Sequence, residues 1–313
     1  MTQKYNIRQI IIYLLITFAL TYSVEIFLIG PMAGSTDIRQ AYLAQALVTG
    51  VMFIPAVGAL ITRLATKEKF NKDNLMLSLN LKGNLKYYAL AWFGIELLII
   101  LGGVLYFFIF PEQFDVDMGY AGALFEAQMN GTGITLTMEQ IKLMIFVQIF
   151  IGIFLAPFLN FIPCFGEEWG WRGFLLPKML KCLPSVPAIL LSGVIWGLWH
   201  APLTIMGHNY GVGYWGFPFV GILAMCLFCI VMGVVLSYVT IKTGSCVPAI
   251  IGHGTINGLA SVSIYFTSLK NPYNVFLGPA PTGLIGGAGF IVLAAVLLYQ
   301  CNKKDNSSAP NVT

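Results

Sequence analysis

The sequence predicts an all-α, polytopic membrane bundle of about eight transmembrane helices, and three observations carry that prediction. Mean hydropathy is +0.80. Of 313 residues, 58% are hydrophobic and only 10% are charged. Apolar stretches of about twenty residues recur along the whole chain, which is what a helix needs to cross a hydrocarbon core of about 30 Å. A soluble core cannot absorb that much apolar surface, so the bilayer is the main solvent. A transmembrane barrel would require segments of about ten residues with strict alternation, and runs such as GILAMCLFCIVMGVVL have none.

The segments read as 10 to 30, 41 to 62, 87 to 110, 141 to 162, 186 to 206, 217 to 240, 246 to 267 and 283 to 301. Lys4 and Arg8 precede the first, as in a secretory signal. Its apolar run is too long for a signal h-region, so an uncleaved anchor is expected. Residues 63 to 86 form the markedly basic loop. Residues 111 to 140 form a long acidic loop, rich in Gly, Thr and Met, expected to lie outside as a lid with no fold of its own. The tail 302 to 313 is polar and expected to be disordered. Residues 1 to 313 thus form a single integral membrane domain without internal repeats, which gives no support to a transporter built on inverted halves.

Orientation follows from the basic residues, which accumulate in short cytoplasmic loops. With both termini in the cytoplasm, thirteen of the seventeen Lys and Arg fall inside, and Arg39, Lys142 and Lys270 fall outside. Arg172 is left as an intramembrane residue. The net charge of +4 is therefore a topology signal, and no nucleic-acid partner is expected. Six scattered cysteines imply no disulfide framework. Cys226 and Cys229 form a C-x-x-C spacing in mid-helix, with neither a second pair nor a nearby His, and are read as packing residues.

Charged groups inside membrane helices are costly and each is a functional hypothesis. Glu25 and Glu96 are isolated and are expected to play structural or snorkelling roles. The other five, Glu167, Glu168, Arg172, His200 and His253, gather in the second half. In PCFGEEWGWRGF, Glu168 and Arg172 stand at i and i+4 and can pair on one helix face. Glu167 points about 100° away, free for proton transfer. In GVIWGLWHAP, His200 lies deep in an apolar segment. In IIGHGTINGL, His253 and Asn257 at i and i+4 offer two donors on one face, which suits an oxyanion. Each piece alone also fits a bland reading: an interfacial charge cluster, a satisfied core histidine, an interhelical hydrogen-bond patch.

Taken together, a base that activates water, a group that orients it and donors for an oxyanion are what amide hydrolysis requires. Other intramembrane hydrolase chemistries lack their residues. With only His200, His208 and His253, no H-E-x-x-H zinc site exists. Every Asp falls in a loop or the tail, so no aspartyl dyad forms in the membrane, and LLSG at 190 to 193 is the nearest approach to a serine motif.

The three pieces resemble the motifs E-E-x-x-x-R, F-x-x-x-H and H-x-x-x-N of the CAAX protease and bacteriocin-processing family, which includes the Ras-converting endopeptidases. They stand as Glu167-Glu168 to Arg172, Trp196 to His200 and His253 to Asn257, within a core of about residues 145 to 265. The resemblance implies an intramembrane endopeptidase in which Glu167 and His200 activate water, His253 and Asn257 bind the oxyanion, and Glu168 and Arg172 order the site. It also implies a membrane-associated peptide or protein substrate, prenylated in eukaryotic and archaeal settings, and a cell-membrane location in bacteria and archaea. Although the family is often labelled metalloprotease, no cofactor is expected: one Glu and two His could ligate zinc, but Asn257 makes better sense as a donor. Trp196 stands where the family has Phe, and is expected to wall the pocket. The alternative within the family is a non-catalytic immunity or scaffold protein, although an intact motif set favours the enzyme.

Depth imposes a structural demand. On one straight helix from residue 141, Glu167 would lie about 39 Å along, past the hydrocarbon edge, whereas His200 would lie roughly 20 Å inside it. Pro157 and Pro163 predict a break that lets Glu167 and His200 meet at a water-filled cavity.

Overall fold

The first helix is polar inside and apolar outside. In α1 (Gln3–Val24), Asn6, Gln9, Tyr13, Thr17 and Thr21 are buried, spaced so that they share one face. Ile7, Ile11 and Leu15 on the opposite face are exposed. An inward polar stripe under an apolar exterior suits lipid rather than water, and large exposed side chains such as Phe27, Phe108 and Phe219 extend that exterior around the molecule. The protein is an integral membrane protein.

The structure is a computed structural model that describes residues 2–129 and 135–308; helices joined by turns and loops make up these residues, and their β structure is one isolated bridge between Phe114 and Thr267. After α1 come α2 (Ile38–Val51), α3 (Ile54–Ala65), α4 (Ile95–Ile109), α5 (Gly119–Met129), α6 (Met138–Leu159), α7 (Phe161–Gly170), α8 (Ser185–Trp199), α9 (Phe219–Thr243), α10 (Val247–Leu259) and α11 (Ala288–Ser308). Among the described residues, six helical stretches are long and apolar enough to cross a membrane: Gln3–Met32, Ile38–Ala65, Leu85–Ile109, Met138–Leu159, Phe219–Thr243 and Val247–Phe266. The segments expected over 186 to 206 and 283 to 301 correspond to the shorter apolar helices Ser185–Trp199 and Ala288–Lys303. The first of these stops where His200 caps it.

Close helix packing is set by glycines spaced four apart, which let backbones approach without side chains between them. A Cβ on Gly166 would meet Met52 O at 2.5 Å, and one on Gly170 would meet Pro55 Cβ at 2.5 Å, which seats α7 against α3 and the turn before it. On α8, a Cβ on Gly193 would meet Ile230 Cα of α9 at 2.6 Å, and one on Gly197 would meet Cys226 Cα at 2.4 Å. On α10, Gly254 and Gly258 lie against Pro157 and Ala156 of α6. Each helix that carries a motif is thus seated by its own Gly-x-x-x-Gly pair. Between them, Tyr13, Trp171 and Trp199 pack edge to face, with centroids 5.7 and 5.8 Å apart.

Three expectations need correction. The acidic loop has structure: α5 forms within it, and Met118 and Ala121 pack on Ile141 and Ile145 of α6. Residues 302 to 308 are helical as the end of α11, where Asp305 accepts hydrogen bonds from the backbone N and Oγ of Ser185, both at 2.8 Å; residues 309–313 lie outside the described residues. Of the structural or snorkelling roles expected of Glu25 and Glu96, snorkelling is ruled out, because both side chains are buried in the bundle, and the structural role stands.

Candidate active site

The chain breaks where depth demands it. α6 carries Pro157 in its last turn and closes at Leu159. Asn160 leaves helical geometry at φ −91°, ψ 2°, and α7 opens at Phe161 with Pro163 in its first turn. Proline has no N–H to give and clashes with the preceding turn, so it is tolerated at such a start. Asn160 Nδ2 donates to Ala156 O at 3.0 Å and to Gly254 O at 3.3 Å, tying the break to α10. Past Gly170 the helix widens into a π turn over Trp171–Leu175 that carries Arg172.

The two adjacent carboxylates take different partners. Glu168 Oε1 accepts from Arg172 Nη1 at 2.9 Å, with both side chains fully buried. His253 Nδ1 meets the same oxygen at 2.9 Å. Glu167 Oε2 instead accepts from the Trp196 indole Nε1 at 2.8 Å. Trp196 therefore does more than wall the pocket. Its ring also lies 4.4 Å beneath the Arg172 guanidinium and 5.3 Å from the His253 ring, so one side chain touches both halves of the glutamate pair's surroundings.

His200 is positioned by the end of α8. Its backbone N–H turns to Gly197 O at 3.1 Å, which frees the Trp196 carbonyl from the helix ladder. The imidazole Nδ1 takes up that carbonyl at 2.9 Å. A carbonyl only accepts, so Nδ1 carries a proton, and in the neutral ring Nε2 keeps its lone pair. Asn257 donates through Nδ2 to Cys164 Sγ at 3.5 Å.

Glu167, His200, His253 and Asn257 line one cavity of about 390 Å³, with Asn160 and His208 also in its wall. Glu168 and Arg172 sit behind it, fully buried. Among the described residues no direct hydrogen bond joins Glu167 to His200; they are linked through Trp196, one through its indole and the other through its carbonyl.

Residues 144–259 match the family of type II CAAX prenyl endopeptidases, Rce1-like. That stretch runs from within α6 to the last residue of α10 and contains all six motif residues. Over 299 residues, 95% of each chain, the sequence is 22% identical to CAAX prenyl protease 2 of Methanococcus maripaludis. The likeness to this CAAX protease therefore extends beyond the motif-bearing half to the first helices.

At this site the motifs do not announce the contacts of Trp196 or the presence of His208. Trp196 is the first residue of the second motif, and standing four residues before His200 it brings both its carbonyl and its ring to the site. His208 lies beyond the motif, with its ring parallel to that of His200 at 6.4 Å. Cys226 and Cys229 form no disulfide, and, against the expectation of no nearby His, the α8–α9 packing brings Cys229 Sγ to 3.9 Å from His200 Nδ1. Among the described residues, no group of three His, Cys, Asp or Glu is arranged to hold a metal ion. His253 Nδ1 is taken by Glu168 and His200 Nδ1 by a carbonyl, which leaves Nε2 as the ring nitrogen of each that remains for water, substrate or a metal ion.

Proposed function

We propose that the protein is an intramembrane endopeptidase that hydrolyses a peptide bond of a membrane-associated substrate with an activated water and no metal. The observation that carries this reading is the convergence of Glu167, His200, His253 and Asn257 on one cavity inside an apolar bundle. Water held between the Glu167 carboxylate and His200 Nε2 attacks the scissile carbonyl carbon and passes its proton to Glu167. The oxyanion that forms is held by N–H groups of His253 and Asn257, which act strongly where bulk water is excluded. Collapse breaks the C–N bond, and the leaving amine takes the proton from Glu167. Glu168 accepts from both Arg172 and His253 Nδ1, and in this mechanism the other ring N–H of His253 is the one that reaches the oxyanion. The relative's printed name, CAAX prenyl protease 2, makes prenylated C-terminal peptides the substrate class to test first.

The decisive experiment compares cleavage of prenylated and unprenylated peptide libraries by purified wild type, Glu167→Ala and His200→Ala in lipid. Cleavage by wild type alone is the expected result; equal cleavage by all three overturns the assignment. If no peptide is cut by any of them, the chain acts as a non-catalytic member. A chelator added to the same assay leaves the rate unchanged under this mechanism, whereas a loss restored by zinc replaces it with a metal-dependent one.

A further inference from the structure

Outside the site, the densest buried charge lies where the basic loop meets the residues that follow the π turn. Glu68 Oε1 accepts from Lys178 Nζ at 2.6 Å and faces Arg63 Nη1 at 3.3 Å. Gln9 Nε2 donates to Glu68 Oε2 at 2.8 Å, and Arg63 Nη2 donates to Asn74 O at 2.7 Å. Arg63, Glu68 and Lys178 are all buried. One carboxylate thus answers two cations, and buried charge without a counter-charge is expensive. Arg63 Nε makes no hydrogen bond among the described residues although its side chain is 1% exposed.

Arg63, Glu68 and Lys178 line a second cavity, of about 490 Å³, with the exposed Lys181 at its edge. Asp73 is the other acid in its wall, so three cations face two carboxylates there. Lys67, Lys69 and Lys72 of the same loop are exposed nearby in sequence and add to the basic rim. An arginine whose Nε is unpartnered, flanked by two lysine point charges, suits a tetrahedral oxyanion. Basic pockets at the ends of membrane helices are also where lipid phosphates collect.

We propose that this cavity is a phosphate-binding site, in which Arg63, Lys178 and Lys181 hold the phosphate group of a lipid headgroup or of free phosphate. The ligand supplies the counter-charge that Glu68 and Asp73, two carboxylates against three cations, leave wanting. Gly173 and Phe174 in the cavity wall belong to the π turn that carries Arg172. Occupancy therefore braces the segment behind the Glu168 cluster. The site stands independently of any peptidase activity.

The test measures thermal unfolding of the full chain in phosphatidylcholine nanodiscs, in nanodiscs with added phosphatidylglycerol, and in phosphatidylcholine nanodiscs with inorganic phosphate. Ligand that binds only the folded state raises the midpoint. Lys181→Ala removes a ligand contact while leaving the Arg63–Glu68–Lys178 cluster intact, and Lys82→Ala is an exposed control outside the cavity. The expected result is a rise of several degrees with phosphatidylglycerol, cut by at least half in Lys181→Ala and kept in Lys82→Ala. The same pattern with inorganic phosphate assigns the site to free phosphate, and its absence there assigns it to lipid. No rise with either, or an equal rise in all three proteins, overturns the proposal.

Discussion

Trp196 Nε1 donates to Glu167 Oε2 at 2.8 Å, joining residues 29 positions apart on two helices. The same residue's carbonyl holds the His200 ring. Trp196→Phe keeps the carbonyl and an aromatic ring but deletes the indole N–H. A hydrogen bond to a charged group contributes about 1.5–3 kcal/mol. If it holds Glu167 in its reactive pose, kcat/KM for peptide cleavage falls roughly ten- to a hundredfold with little change in the unfolding midpoint. Unchanged kcat/KM would return Trp196 to the role of a wall.

The neighbouring carboxylates should separate in their effects. Glu168→Gln leaves Arg172 and His253 buried without their shared anion, and breaking a buried ion pair from one side costs about 3–5 kcal/mol. The expected outcome is a large fall in thermal stability together with activity. Glu167→Gln retains an acceptor for Trp196, so stability holds while cleavage is lost. Differential scanning calorimetry beside the peptide assay distinguishes the two.

Helix approach at Gly166 tests whether packing sets the site. A Cβ there would meet Met52 O at 2.5 Å and Phe53 Cα at 2.8 Å, both of them backbone. Gly166→Ala must push α7 away from the start of α3 at a cost of about 1–3 kcal/mol, and should slow cleavage by displacing the adjacent Glu167. Gly50→Ala meets open space and should be neutral in both measurements. Equal behaviour of the two variants would contradict the packing account.

Asn257→Ala removes one proposed oxyanion donor. Loss of such a donor lowers kcat by about 10²–10³, with KM nearly unchanged because the interaction strengthens only as the oxyanion forms. A rise in KM at constant kcat would place Asn257 in substrate binding instead.

Stability should depend on pH through Glu68. Burial by itself raises this carboxyl, but the Lys178 hydrogen bond and the charges of Arg63 and Lys178 outweigh it and hold the group below its ordinary value. A group depressed in the folded state contributes its full stabilisation above the unfolded pKa, about 4.3 for Glu. The contribution is lost as pH falls through the folded value. The unfolding midpoint should therefore drop on acidification below about pH 4.3, and more steeply for wild type than for Glu68→Gln.

Much of the candidate site was legible because its signals are local. Glu168 and Arg172 pair within one helix at the i, i+4 spacing, and the spacing survives the π turn that carries Arg172. The break before Glu167 followed from two prolines and a mismatch of depth. Partners on different helices were not legible. His253 was read beside Asn257 as one of two free donors, yet its Nδ1 is engaged by Glu168, 85 residues away. Trp196 was read as a wall, and His208 was only counted.

By itself the sequence determined the solvent, the helical class and the residue types of the site. Mean hydropathy and the length of the apolar runs leave one physical solution, since backbone groups in lipid must bond within their own helix. Tertiary structure decided which polar groups meet. Those meetings depend on how closely helices approach, and the approach is set by Gly166 and Gly170, Gly193 and Gly197, and Gly254 and Gly258 against specific backbone surfaces. It also decided that the acidic loop and the chain after residue 302 hold helix, through Met118 and Ala121 on α6 and Asp305 on Ser185. Contacts of this kind link distant positions and leave no periodicity to read along the chain.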